Sequence, residues 1–250
     1  MLRTGCRWLV AAGCMMCLEG TVMGQDTDSR LKAQHVETSA PVAFDYWEYL
    51  PDGYAEDAQK RWPLLLFLHG AGERGNDLKL VLRHGPPKRV LEGAKFPFVI
   101  VAPQCPAGKW WEPVSLDAFL NAVLQKYRID ADRVYVTGLS MGGYGTWSLI
   151  AYAPQRFAAA APICGGGLPF LVRNAKNVPV WVFHGAKDGV VPIEESERLV
   201  RALKRAGGTV RFTVYPDAGH DSWTATYEND ELYRWLLSHR RGQPAADAAQ

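Results

Sequence analysis

The sequence is poor in the features that mark nucleic-acid-binding, membrane-spanning and metal-binding proteins. Its 28 basic and 26 acidic residues leave a formal net charge of +2, which is too small to favour nucleic acid or a membrane surface. No unit repeats, and neither H-x-H nor C-x-x-C occurs near a histidine. We therefore expect no metal, no other cofactor, no nucleic-acid partner and no stable membrane insertion, while the oligomeric state stays open.

The first 24 residues differ in composition from the rest of the chain. Two arginines precede an apolar stretch at positions 8–18, which has the length of a signal-peptide core and is too short for a spanning helix. With cleavage ahead of Gln25, residues 1–24 are predicted to be a signal peptide and the protein to be secreted or periplasmic. A lipoprotein anchored at Cys14 is the alternative, which the short apolar stretch before that cysteine disfavours.

Cysteine is scarce, and removal of a signal peptide leaves two cysteines, Cys105 and Cys164. An even number in an oxidising compartment is compatible with a disulfide. The predicted strand order, however, places two strands between those that lead to these residues. At about 4.8 Å per strand this separation exceeds the reach of a disulfide, so we expect two free, buried thiols.

Strand-like and helix-like runs alternate along most of the chain, whose 250 residues suit one α/β domain. Continuous apolar runs at Pro63–Leu68 and Val178–Phe183 are typical of strands buried on both faces of a parallel sheet. Apolar residues at helical spacing from Leu116 to Tyr127 predict a helix capped by Ser115. The chain is thus predicted to have a polar segment at 25–40, an α/β domain at 41–240 with helices on both faces of a mostly parallel sheet, and a disordered tail at 241–250.

The pentapeptide Gly138-Leu139-Ser140-Met141-Gly142 carries the strongest chemical signal. It follows the strand-like run Arg133–Thr137 and precedes a helix-like run from Gly143. A strand, a sharp turn and a helix with serine at the apex form a nucleophile elbow. Glycines are needed on either side because side chains there would clash with the adjoining strand and helix. Ser140 is therefore the candidate nucleophile, the alternative being a surface serine in a glycine-rich turn.

An activated serine needs a base and an acid that orients the base. Asp188 and then His220 follow, each at the carboxyl end of a predicted strand, and the order Ser, Asp, His is that of the α/β-hydrolases. Ser140, Asp188 and His220 are therefore the candidate triad. Asp217 and Asp221 flank the histidine and are alternative acids, although the first is expected to cap its loop and the second to start a helix.

The oxyanion site and the remaining histidines follow from the same strand-end logic. One oxyanion donor is expected to be the N–H of Met141, and the other the N–H of Ala71, with Gly72 as second choice. His69 and His184 each begin a loop beside a glycine and are interpreted as packing or hydrogen-bonding residues. The other histidines are predicted to lie on the surface: His35, His84 and His239.

Three tryptophans are candidates for contact with substrate. Trp110 and Trp111 lie in a loop at the carboxyl edge of the predicted sheet, where ligands bind in open α/β sheets. Trp223 lies three residues after His220. We predict that at least one of the three contacts substrate, packing within the loops being the alternative. Only Gly165–Asn177 separates the sixth and seventh predicted strands, which leaves no room for a cap domain and predicts an open site.

The chain resembles the α/β-hydrolase esterases grouped as predicted peptidases or prolyl-oligopeptidase-like proteins, which are related to feruloyl and acetylxylan esterases and polyhydroxybutyrate depolymerases. The resemblance implies a secreted serine carboxylesterase that forms an acyl-enzyme, with acetyl or feruloyl groups on polysaccharide, or a small-molecule ester, as substrate. A small serine peptidase of the prolyl-oligopeptidase-like type is the alternative. A non-catalytic binding protein is a third reading, which a complete triad disfavours. The matching stretches are 68–77, 102–106, 138–143, 184–192 and 218–223.

Overall fold

A computed structural model describes residues 30–37 and 43–243. These residues form an eight-stranded sheet with the order β1-β2-β4-β3-β5-β6-β7-β8. The first two pairings in this order, β1 with β2 and β2 with β4, are antiparallel, and all the others are parallel. The strands are β1 (Leu31–Glu37), β2 (Ala43–Tyr49), β3 (Trp62–Leu68), β4 (Val99–Pro103), β5 (Ile129–Leu139), β6 (Ala159–Ile163), β7 (Val180–Gly185) and β8 (Val210–Tyr215).

Helices cover both faces of this sheet, as the sequence predicts. They are α1 (Gly85–Leu91), α2 (Pro113–Lys126), α3 (Met141–Tyr152), α4 (Pro169–Val172), α5 (Glu194–Arg205), α6 (Trp223–Glu228) and α7 (Asp230–Leu237). None of the helices in the described ranges is long and apolar enough to cross a bilayer.

The central strand β3 divides its side chains between two hydrophobic cores. Leu64, Leu66 and Leu68 join the core under α2, α3 and α5, whereas Leu65 and Phe67 join the core under α1, α6 and α7. All seven residues of β3 are buried, and each fully buried leucine contributes about 1.5–3 kcal/mol. A strand packed on both faces needs no polar alternation, which is why its continuous apolar run predicted it correctly.

The N-terminal edge of the sheet departs from the sequence prediction. Residues 25–40 read as a polar segment, yet Leu31–Glu37 form β1, which pairs with β2 from Leu31 opposite Tyr49 to Glu37 opposite Ala43. An edge strand needs few buried side chains, and in β1 Leu31 is buried while Val36 packs partly against a core. The predicted signal peptide at 1–24 lies outside the described residues. Of the tail predicted at 241–250, residues 244–250 also lie outside them, whereas Arg241 is held by an ion pair with Asp132 at 2.7 Å.

Two helix boundaries also differ from the prediction. The helix predicted with Ser115 as cap, and so with Leu116 as first residue, begins three residues earlier at Pro113, because proline fits the first turn where no intrahelical N–H bond is made. Residues 224–239 are predicted from the sequence to form one last helix, but the structure divides this segment at Asn229, whose side-chain oxygen accepts a hydrogen bond from the N–H of Glu231 and so starts α7. Between β6 and β7 the chain forms only α4 and a 3-10 turn, so there is no cap domain.

The two cysteines behave as predicted. Cys105 follows β4 and Cys164 follows β6, and both β3 and β5 lie between these strands. Both thiols are free and buried.

Candidate active site

The turn at Ser140 has the strained geometry of a nucleophile elbow. Ser140 has φ 52° and ψ −116°, a conformation that costs a residue with a side chain about 1–3 kcal/mol. A Cβ on Gly138 would lie 2.4 Å from the carbonyl oxygen of Gly142, and one on Gly142 would lie 1.9 Å from that of Leu68. The N–H of Ser140 donates to Ile163 O at 3.0 Å, which helps to hold the turn. The steric reason for both glycines is therefore visible in the structure.

The structure brings Ser140, His220 and Asp188 into one hydrogen-bonded line. Ser140 Oγ lies 2.9 Å from His220 Nε2, and His220 Nδ1 lies 2.8 Å from Asp188 Oδ2. The other carboxylate oxygen, Asp188 Oδ1, accepts from the N–H groups of Val190 and Val191, both at 2.9 Å. The loop after β7 therefore fixes the orientation of the acid before any substrate binds.

The charge on Asp188 determines the tautomer of His220. Burial by itself raises the pKa of Asp188, but hydrogen bonds from His220, Val191 and Val190 more than offset it, so the pKa lies below its usual value. An ionised carboxylate only accepts hydrogen bonds. His220 Nδ1 must therefore carry the proton, which leaves the Nε2 lone pair to accept the hydroxyl proton of Ser140.

A second histidine supports Asp188 from behind. His184 is fully buried, and its Nε2 lies 2.9 Å from Val191 O and 3.2 Å from Asp188 Oδ2. Both of these atoms are acceptors, so Nε2 carries hydrogen. The other ring nitrogen lies 2.8 Å from Ser196 Oγ. Burial keeps His184 from substrate, in agreement with its reading as a hydrogen-bonding residue, but its contact with the acid has no signal in the sequence.

The two alternative acids lie elsewhere. Asp217 is exposed and pairs with Lys187 Nζ at 2.8 Å. Asp221 accepts hydrogen bonds from Thr224 N at 3.0 Å and Thr224 Oγ1 at 2.9 Å, which places it at the start of a helix. Asp188 is the carboxylate hydrogen-bonded to His220 among the described residues.

The two residues predicted to supply oxyanion donors, Met141 and Ala71, follow neighbouring strands of the sheet. Met141 is the first residue of α3, so its N–H has no acceptor within the helix. Ala71 and Gly72 lie in the short 3-10 helix Ala71–Glu73 that follows β3. Since β3 is the immediate neighbour of β5, this turn and the elbow occupy adjacent positions on the carboxyl edge of the sheet.

His69 fixes the turn that carries Ala71. Its Nε2 accepts from Cys105 N at 2.9 Å, and its Nδ1 lies 2.6 Å from Gly70 O. Burial lowers the pKa of His69 to about 4, the bond to Gly70 opposing and Arg74 reinforcing this shift. A Cβ on Gly70 would lie 2.8 Å from Leu139 Cδ1. The neutral imidazole thus ties the turn to the residue after β4, which agrees with its interpretation as a hydrogen-bonding residue, while Gly70 lies close to Leu139 at the end of β5.

The tryptophan loop divides into one exposed and one buried side chain. Trp110 is 58% exposed and meets Tyr144 edge to face at 6.0 Å. Trp111 is 5% exposed, donates its indole N–H to His69 O at 3.1 Å, and packs against Gly145. As a substrate contact Trp111 therefore offers little surface, because its ring supports the loop after β3.

Trp223 lies against the imidazole of the triad. Its ring meets that of His220 edge to face at 5.2 Å and that of His84 at 5.6 Å. The three candidate tryptophans thus do not form one wall. His84 is partly exposed and lies 3.8 Å from Glu73, in line with its predicted surface position, whereas His239 is buried and its predicted surface position is wrong. The burial of His239 depends on helix packing that has no local pattern in the sequence.

Cys164 is a neighbour of the triad that the sequence did not mark. It has a positive φ of 38°, and ligand-type atoms of Cys164, Asp188 and His220 lie within 4.8 Å of one another. Burial raises the pKa of the thiol to about 12, so it stays protonated. Two members of this cluster, Asp188 and His220, are already hydrogen-bonded to each other.

Comparisons with known proteins agree with this geometry. Residues 112–234, which include the three triad residues, match the model of the dienelactone hydrolase family. The crystal structure of a thermostable esterase is 37% identical with a TM-score of 0.71, covering 85% of this chain and 64% of that one. The chain has the α/β-hydrolase fold.

Two curated proteins are similar in sequence to parts of this chain. A Salmonella typhimurium protein with the provisional name carboxymethylenebutenolidase is 34% identical over 100 residues, which are 36% of this chain and 37% of that protein. The bifunctional acetylxylan esterase/xylanase of Neocallimastix patriciarum is 27% identical over 164 residues, which are 63% of this chain and 23% of that protein. This chain thus covers well under half the length of each of these two relatives.

Proposed function

We propose that the protein is a serine carboxylesterase that cleaves carboxylic esters through an acyl-enzyme. The observation that carries the proposal is the unbroken hydrogen-bonded line from Ser140 through His220 to Asp188, with distances of 2.9 and 2.8 Å. The similarity to a thermostable esterase over 85% of the chain supports the same reaction class.

In the proposed reaction, Ser140 Oγ attacks the ester carbonyl carbon while His220 Nε2 takes the hydroxyl proton. Asp188 stabilises the imidazolium that forms. The oxyanion accepts hydrogen bonds from the N–H groups of Met141 and Ala71, donors of a kind worth about 10²–10³-fold in kcat each. The ester C–O bond breaks as His220 returns the proton to the leaving alcohol. Water then attacks the acyl-enzyme while His220 takes a proton from it, and His220 returns that proton to Ser140 Oγ as the carboxylic acid leaves.

The substrates we propose are esters attached to large molecules, such as acetyl or feruloyl groups on polysaccharide. Between β6 and β7 lie only α4 and a 3-10 turn, so no lid between these two strands restricts the approach of a polymer to Ser140. The acetylxylan esterase relative supports this class. Such substrates require a protein outside the cytoplasm, which is consistent with the proposed signal peptide at 1–24.

Turnover assays test the proposal. Wild-type protein and Ser140→Ala are compared on p-nitrophenyl acetate, methyl ferulate, acetylated xylan and dipeptide amides. We expect ester hydrolysis by the wild type, and a loss of about 10⁴-fold or more in the variant. Cleavage of dipeptide amides in preference to every ester would replace the esterase with the small serine peptidase. Full ester turnover by Ser140→Ala would remove the proposed nucleophile.

A further inference from the structure

A cavity of about 230 Å³ lies beside α3 and begins one helical turn from the elbow. Its main lining is Trp110, Tyr144, Trp147, Ser148, Leu168 and Leu171, and we call it the α3 groove. The backbone N–H of Tyr144 donates to Ser140 O at 3.0 Å, so the groove begins within one helical turn of Ser140. From Tyr144 to Ala151, the last lining residue of α3, a rise of about 1.5 Å per residue gives a length of about 10 Å.

The chemistry of the groove favours a neutral, ring-shaped ligand. Trp110, Leu168 and Leu171 are 58%, 64% and 42% exposed, an unusual exposure for large apolar side chains grouped at one cavity. No charged side chain is among the lining residues within the described part of the chain. An ionic ligand would find no oppositely charged side chain in the lining. The rings of Trp110 and Tyr144 are 89° apart, so an aromatic ring stacked on Trp110 could meet the edge of Tyr144.

Few polar groups are available to a ligand in the groove. Trp147 is 2% exposed, and its indole Nε1, which has no acceptor among the described residues, is closed off from the open space. The indole N–H of Trp111 already donates to His69 O at 3.1 Å. The side-chain hydroxyls of Ser148 and Tyr144 remain to meet a ligand. A pyranose ring, with hydroxyls around its rim, would lose more hydrogen bonds to water than these two groups replace.

The size of the groove fits one substituted ring. An apolar cavity of about 150 Å³ holds a benzene molecule, and the α3 groove encloses about 230 Å³. The difference accommodates one or two small substituents such as methoxy or hydroxyl groups. An acetyl group would leave most of the apolar lining in contact with water.

We propose that the α3 groove binds the aromatic part of the substrate, a neutral ring that carries an ether or hydroxyl oxygen. The ring stacks on Trp110, and its oxygen accepts a hydrogen bond from the Ser148 or the Tyr144 hydroxyl. The role of the groove in turnover rests on the proposed esterase function. Binding of the aromatic ring in the groove does not depend on that function. It selects esters of phenolic aromatic acids over acetyl esters.

Binding is measured by calorimetry with methyl ferulate as the probe, in a Ser140→Ala background that prevents turnover. A Cβ on Gly167 would lie 3.5 Å from both Leu199 Cδ1 and Trp147 Cβ, which is ordinary contact, so Gly167→Leu projects its larger side chain into the groove. We expect Gly167→Leu to weaken binding by about tenfold, and Ser148→Ala, which removes one hydroxyl from the lining, by about two- to tenfold.

Tyr152→Ala is the matched control, because Tyr152 lies on the same helix, is 51% exposed and does not line the groove. Its affinity for methyl ferulate should be unchanged. Trp110→Ala, at an exposed position that tolerates substitution, should weaken binding about fivefold and keeps the test decisive if Gly167→Leu does not fold. Unchanged affinity in both Gly167→Leu and Trp110→Ala, or tighter binding of xylotriose than of methyl ferulate at the groove, would overturn the proposal.

A turnover measurement separates this proposal from the proposed function. In the otherwise wild-type protein, Gly167→Leu should lower the ratio of kcat/KM for methyl ferulate to that for methyl acetate about tenfold. An unchanged ratio would contradict the groove even if the protein is an esterase. Conversely, groove-dependent binding of methyl ferulate by a protein that hydrolyses no ester would uphold the groove and overturn the esterase.

Discussion

Replacing Asp188 by asparagine tests the acid of the triad at the level of single atoms. In the structure, Asp188 Oδ1 accepts from the N–H groups of Val190 and Val191, so in Asp188→Asn the amide oxygen must take this position. The amide NH₂ group then faces His220 Nδ1 and His184 Nε2, where the carboxylate oxygen accepted before. The two N–H groups of the amide would then face the N–H groups of His220 and His184, with no acceptor between them.

The variant relieves this conflict by changing the tautomer of His220. If Nδ1 accepts from the amide, the proton moves to Nε2, which then faces Ser140 Oγ as a donor and cannot act as a base. An inverted tautomer of this kind costs about 10⁴-fold in kcat. We expect that loss for p-nitrophenyl acetate at neutral pH, with little change in KM because the acid does not touch substrate.

The assay compares kcat and KM for wild type, Asp188→Asn, Asp217→Asn and Asp221→Asn, with thermal melts to confirm folding. The last two variants are matched controls and should keep full activity, since their carboxylates bond Lys187 and Thr224. If Asp188→Asn keeps more than about a tenth of the wild-type rate, or if a control loses as much, the tautomer argument fails.

Three further predictions concern the elbow at Ser140, His69 in the loop after β3, and the N terminus. Gly142→Ala should lower the free energy of unfolding in urea by about 3 kcal/mol or more, because its Cβ would lie 1.9 Å from Leu68 O. His69 has a pKa of about 4 in the folded protein against about 6.5 unfolded, so the stability gained from neutral His69 is complete above pH 6.5 and is lost as pH falls towards 4; His69→Gln should show a smaller loss between pH 7 and 5. Mature protein from its host should begin at or near Gln25, as read by N-terminal sequencing.

Each of these has a plain opposing result. If Gly142→Ala had the same free energy of unfolding as the wild type, the strand and the helix at the elbow could move apart to admit the methyl group without loss of stability. An equal pH dependence in wild type and His69→Gln would assign the acid-induced loss to other groups. An intact Met1 would remove the signal peptide, and a diacylglyceryl group on Cys14 would support the lipoprotein instead.

The sequence predicted those parts of the molecule whose causes are local. The elbow was predictable because two glycines and a serine must occupy fixed positions in a tight turn, and β3 because a strand buried on both faces needs an unbroken apolar run. The positions of Asp188 and His220 followed from the rule that strand ends of a parallel sheet meet at one edge.

The parts that escaped prediction depend on contacts between distant segments. An edge strand such as β1 requires only a few buried side chains, so its polar composition resembled a loop. Trp110 and Trp111 are adjacent in sequence, yet only packing against Gly145 and His69 decides which of them is buried. In the same way, nothing in the sequence ties the position of His184 to the carboxylate of Asp188.

The central claim is that Ser140 is the nucleophile, and covalent labelling tests it most directly. Wild-type protein is treated with a fluorophosphonate, and intact-mass and peptide-mapping measurements locate the adduct. We predict a single phosphonyl group on Ser140, complete loss of ester hydrolysis in the labelled protein, and no adduct in Ser140→Ala. An adduct on another residue with hydrolysis lost, or full hydrolysis by protein labelled at Ser140, would contradict the account.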